Sequence, residues 1–173
     1  MKSRQWALPA LLILLVVGLL HRMTLADERP GASLDHLPVS ELAIETASGE
    51  RHRFRVYEAR TPQTRSRGLM FVTDLGPDEG MLFDSGGVAH SSMWMRNTPL
   101  SLDMLFILPD GRISRIERET VPYSRALIHS GAPVRAVLEL NGGISAELAI
   151  RDGDRVIHPI FAAADTAEET AAD

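Results

Sequence analysis

Arg67, Arg96, Asn97, Thr98 and Asp103 are set among the bulkiest apolar residues of the chain. They stand in RGLMFVTDLGPDEGMLFDSGG and HSSMWMRNTPLSLDMLFILPDGRI, which span Arg67 to Ile113. Glu139 sits the same way in AVLELN. A polar group placed in an apolar run must find a partner or stay wet. Two carboxylates in such surroundings, Asp103 and Glu139, could be raised in pKa and work as acid and base, the pairing a hydrolase uses. The plainer reading has each tied to an arginine, such as Arg67 or Arg96, or to backbone amides at a strand end. Trp94 and Asn97 with Asp103 and Glu139 also make a sugar- or polyol-binding set. An aromatic face stacks on a sugar, while amide and carboxylate fix its hydroxyls. Against this, Trp94 also fits a core and Asn97 a turn before Pro99.

A third grouping is softer. His90, Met93 and Met95 offer imidazole and thioether ligands suited to Cu(I). Met93 and Met95 are two apart and would share one strand face, with Trp94 on the other. Methionine as adaptable core filler explains the same residues. The remaining histidines show no ligand spacing, and Ser91, Ser92 and Ser145 lack a nucleophile-elbow context. No phosphate-binding loop or dinucleotide fingerprint occurs. The residues by themselves thus name no catalytic group, metal or cofactor.

The elements that must position these groups read as strands. Leu42, Ile44 and Thr46 alternate with Glu41, Ala43 and Glu45; after the Ser48-Gly49-Glu50 turn, Phe54 and Val56 alternate with Arg53 and Arg55. This is a hairpin with one buried face. Thr61-Pro62 opens a short helix reaching about Met70. Further strands are expected over Gly80–Phe83, Ser92–Asn97, Leu102–Leu108, Arg112–Glu117, Ala136–Leu140 and Arg155–Ile160. Asp103, Leu105 and Ile107 share one face of their strand, and Glu139 shares a face with Val137. Asn141-Gly142-Gly143 opens a helical turn. Short strands punctuated by Gly, Pro and Asp argue for a mainly β fold, a compact antiparallel sandwich or barrel with one or two short helices.

The ends read differently. Residues 1–26 form an export signal or an uncleaved N-terminal anchor: Lys2 and Arg4, an apolar run from Trp6 to Leu20, then Thr24-Leu25-Ala26 before a cut. Residues 27–40 read as a flexible linker, 41–161 as a single β domain, and 162–173 as a disordered acidic tail. The expected location is the periplasm or the outer face of the cytoplasmic membrane. The formal charge is −5, and losing residues 1–26 removes three cations and no acid, giving −8. An acidic chain without a basic cluster argues against nucleic acid, and contact with membrane is expected only through the N-terminal segment. With no cysteine, the domain is held by its core alone.

Several ordered motifs give the chain a family likeness. Gly68-Leu69-Met70, Gly80-Met81-Leu82-Phe83, Trp94-Met95-Arg96-Asn97-Thr98, Leu102 to Ile107, Val137-Leu138-Glu139-Leu140 and Gly153-Asp154 together resemble domain of unknown function 192. The likeness spans about Leu42 to Pro159. It implies a compact, mainly β fold with one or two short helices and no particular activity. The sequence departs from that family where Met93 replaces a usual aromatic, where Arg96 stands for a frequent lysine, and in the polar DSGGVAHSS, which reads as a mobile rim loop. The resulting expectation is an exported, non-catalytic envelope binding or accessory module for a small polar ligand or glycan. Its site would join Arg67, Trp94, Arg96, Asn97, Asp103 and Glu139. The alternatives are an envelope hydrolase using Asp103 and Glu139, and a Cu(I) protein using His90, Met93 and Met95.

Overall fold

The computed structural model describes residues 32–161. The expected signal or anchor at 1–26, the first part of the linker and the acidic tail at 162–173 lie outside the described residues. Seven strands and two short helices follow in order: β1 (Val39–Glu45), β2 (Arg51–Ala59), α1 (Pro62–Arg67), β3 (Glu79–Met93), β4 (Leu102–Ile107), β5 (Ile113–Glu117), β6 (Ile128–Asn141), α2 (Ile144–Glu147) and β7 (Arg155–Ile157). They form one sheet in the order β5-β4-β6-β3-β2-β1-β7. Every pairing is antiparallel except β2–β3, which is parallel because α1 carries the chain back across the sheet.

The sheet curls into a half-barrel. A single bridge between Arg112 and Arg155 brings the β5 and β7 sides together, supported by Ile113 N–H donating to Asp154 O and Val156 N–H to Gly111 O, both at 2.8 Å. Strand alternation then sorts the apolar residues into two clusters. Leu42, Ile44, Phe54, Val56, Leu82, Leu105, Leu138, Leu140 and Val156 fill the inside of the curl. Tyr57, Met81, Phe83, Met104, Phe106 and Val137 lie on the outer face of the central strands, where Leu69, Val72, Leu75 and Met95 cover them. Leu37 joins this second cluster and Ala32 N–H donates to Phe71 O at 2.9 Å, so residues 32–38 are packed against the domain rather than forming a loose linker.

Two stretches differ from the strand pattern read in the sequence. DSGGVAHSS is no loop: β3 runs through it to Met93, paired with the first half of β6 and shifted in register between Asp84 and Ala89 and between His90 and Ser92. Polar residues suit this arm, because both of its faces and its outer edge are wet. The expected strand at Ser92–Asn97 stops at Met93. Beyond it Met95 N–H donates to Ser124 O at 3.1 Å, and Asn97 adopts φ +57°, which ends extended backbone.

Candidate functional site

Pairing register decides which polar groups can meet. Asp103 lies opposite Leu140, and Glu139 lies opposite Met104 on one side and Met81 on the other. Paired residues point to the same face, so Asp103 and Glu139, on neighbouring strands, point to opposite faces of the sheet. Asp103 is fully buried towards the end of the curl. Its Oδ1 accepts from Glu119 N–H at 2.8 Å and Gly143 N–H at 3.0 Å; its Oδ2 accepts from Ser145 N–H at 2.9 Å and Ser145 Oγ at 2.5 Å. The carboxylate therefore ties the start of α2 and the chain after β5 to β4. Asp103 is a structural anchor and leaves the expected ligand set; the acid–base pair of the hydrolase alternative cannot flank one bond.

Glu139 faces outward beneath a cavity of about 450 Å³. Its walls come from four places: α1 and its exit (Pro62, Arg65, Ser66, Arg67, Gly68, Leu69, Met70), β3 (Phe83, Ser85, Ser91, Ser92, Met93), the segment after it (Trp94, Arg96, Thr98), and β6 (Val137, Glu139). Thr61 caps α1, accepting from Thr64 N–H at 3.1 Å while Thr64 Oγ1 accepts from Thr61 N–H at 3.0 Å, and Pro62 occupies the first helical position. Gly68 ends the helix at φ +50°, where a Cβ would stand 3.1 Å from the Phe83 ring. The chain can thus turn tightly over the cavity only with glycine there.

Glu139 is 4% exposed, and no hydrogen bond or ion pair reaches its carboxyl among the described residues. Burial alone pushes its pKa up to about 8, so at neutral pH it is chiefly the uncharged acid. The arginines stand away from it. Arg96 lies over the Trp94 ring at 5.5 Å and Arg67 over Phe71 at 6.0 Å. Trp94 is exposed, not core. Arg65 is fixed by donating to Arg60 O at 2.6 Å and Asp84 O at 3.0 Å. The rim holding Trp94 and Arg96 is knit by unusual backbone: Phe71 (φ +65°) donates to Asn97 O at 2.8 Å, and Tyr123 (φ +61°) donates to Thr98 O at 3.1 Å. Non-glycine residues held in this region are strained and need surrounding structure to keep them there.

Of the expected set, Arg67, Trp94, Arg96 and Glu139 line the cavity. Asn97 does not; its left-handed turn and its contact to the Met70 sulfur at 3.9 Å support the rim. The Cu(I) set is not assembled either. Met95 is fully buried and its sulfur accepts from Thr120 Oγ1 at 3.2 Å, while His90 is exposed on the arm. The strand ends before Met95, so the two-residue spacing no longer places the thioethers on one face. Arg65, Ser66, Phe83, Ser91 and Ser92 are cavity residues that the sequence did not announce. Only the helix-start signal at Thr61-Pro62 pointed towards the first two.

The pattern of the family described as DUF192, Uncharacterized ACR, COG1430, matches residues 43–158. The chain belongs to the DUF192 family. Two solved structures resemble this DUF192 chain throughout the domain. One, from Sinorhizobium meliloti 1021 and provisionally named a transcription regulator, is 45% identical with a TM-score of 0.69, covering 70% of this chain and 94% of that one. The other, a protein of unknown function from Novosphingobium aromaticivorans DSM 12444, is 38% identical with a TM-score of 0.70, covering 77% and 94%. No curated protein matches this DUF192 chain.

Proposed function

We propose that this DUF192 protein is a non-catalytic binding or accessory module of the cell envelope that takes a small polar ligand, or one sugar unit of a glycan, into the Glu139 cavity. The observation that carries the reading is Glu139 itself. An unpartnered carboxyl in an apolar setting opposes folding, and such a group is retained where a ligand supplies the missing partner. As an uncharged acid it both donates and accepts, which suits a hydroxyl or carbonyl. Trp94 offers an aromatic face at the rim, and the cavity has the size of a small-molecule site. Catalysis is not part of the proposal, because among the described residues no second titratable group within hydrogen-bond reach supports Glu139 as acid or base. The envelope location rests on the composition of residues 1–26. The acidic charge of the chain favours no nucleic-acid role, so the provisional name of the Sinorhizobium relative is not carried over.

Trp6 and Trp94 are the two tryptophans of the chain. In the full chain carrying Trp6→Phe, emission reports on Trp94 alone. Titration with a panel of neutral sugars, sugar acids, amides and carboxylates is expected to give saturable changes with at least one class, lost in Glu139→Ala. A ligand bound equally well without the Glu139 carboxyl would remove that group from the site. A featureless response to the whole panel would remove the binding reading.

A further inference from the structure

The charges in the cavity wall are one-sided. Arg65, Arg67 and Arg96 line it, and Glu139, buried at its base, is the sole acid lining it among the described residues. This is not bulk composition, since the chain as a whole is acidic, at −5. Elsewhere several arginines meet an acid directly: Arg51 pairs with Glu45, Arg55 with Glu79, Arg60 with Glu58, and Arg135 with Asp84. Arg67 and Arg96 have no carboxylate partner among the described residues and rest on aromatic rings instead. Stacking holds a guanidinium flat and leaves its N–H edges free for an oxyanion.

We infer that the ligand of this cavity is a small organic anion, its carboxylate or phosphate group held at the rim by Arg67 and Arg96 and a hydroxyl or carbonyl at the far end of its body reaching Glu139. The inference rests on the binding reading above and names the ligand class for that same site. The wall between rim and base supports it: Met70, Phe83, Met93 and Val137 offer apolar contact to the body of such a molecule. Among the described residues Glu139 faces no other charge at close range. Met81 and Met104 are its cross-strand neighbours, and the arginines at the cavity wall leave its pKa governed by burial alone. The neutral acid therefore adds no repulsion to an arriving anion.

Matched probes test this on the full chain with Trp6→Phe: benzoate, phenyl phosphate and uncharged benzamide, followed by Trp94 emission and calorimetry at neutral pH. At least one anion is expected to bind about tenfold or more tighter than benzamide, the size of a charge-assisted hydrogen bond. Arg67→Gln with Arg96→Gln is expected to abolish that preference while leaving urea unfolding nearly unchanged. Co-sedimentation with phosphatidylcholine vesicles, with and without phosphatidic acid, separates a lipid headgroup from a free phosphate monoester as the source. Benzamide binding as tightly as both anions, or neutral sugars binding where the anions do not, overturns the anion inference but leaves the binding reading standing. Silence from these probes and from the wider panel overturns both.

Discussion

Glu139→Gln is expected to stabilise the fold by an amount that depends on pH. In the unfolded chain the Glu139 carboxyl ionises near its ordinary value of 4.5; in the folded chain burial moves ionisation to about 8. Between those values the folded state keeps a proton that the unfolded state releases. Stability therefore falls as pH rises through this window, by about 1.4 kcal/mol per pH unit. The penalty is absent below pH 4.5, reaches about 3 kcal/mol at pH 7, and levels near 5 kcal/mol above pH 8. Water entering the cavity screens the charge, so these figures are ceilings. Glutamine has nearly the same shape and no charge at any pH, so it escapes the slope. With a urea m-value of about 1.5–2 kcal/mol per molar, the variant gains up to about 2 M in midpoint between pH 4.5 and pH 7 relative to wild type. Urea titrations followed by circular dichroism at several pH values read this directly. A midpoint difference that stays constant from pH 4.5 to 8 would mean Glu139 ionises freely, and the uncharged acid at the base of the cavity would have to be given up.

Two further outcomes separate structural polar groups from the site. Asp103→Asn places an amide against donors that now meet a carboxylate oxygen, so it is expected to cost about 2–4 kcal/mol in urea unfolding while leaving ligand affinity unchanged; unchanged stability would show that those four contacts contribute little. His158 is held below its ordinary value of 6.5 by burial, against the opposing pull of Glu58 Oε1 at 3.7 Å. As pH falls below 6.5 the unfolded chain takes up a proton that folded His158 resists, so wild type loses stability there relative to His158→Gln; equal acid limbs for the two proteins in urea midpoints would contradict this.

The strands were readable because their alternation is strict where one face is wet. Phe54 and Val56 against Arg53 and Arg55 gave β2, and Thr61-Pro62 gave the start of α1. Reading failed in the arm, where polar residues on both faces erase the period that distinguishes strand from loop. It failed again beyond Met93, where β3 ends with no glycine to mark it and a left-handed Asn97 follows. At the site, the sequence picked out Arg67, Trp94, Arg96 and Glu139 because each interrupts an apolar run. It picked out Asp103 by the same token, and there the plainer of its two readings holds: the carboxylate accepts from backbone amides, which in one dimension looks like a group waiting for a ligand.

Composition and periodicity by themselves determined a mainly β, cysteine-free domain whose apolar strands carry a few isolated polar groups. Only the tertiary structure decided which of those groups share a space. Alternation within a strand orders its own residues into two faces, but the register between β4 and β6 is set by long-range pairing, and that register turns Asp103 inward and Glu139 out. The curl of the sheet then makes one of those faces a closed core and the other the base of a cavity.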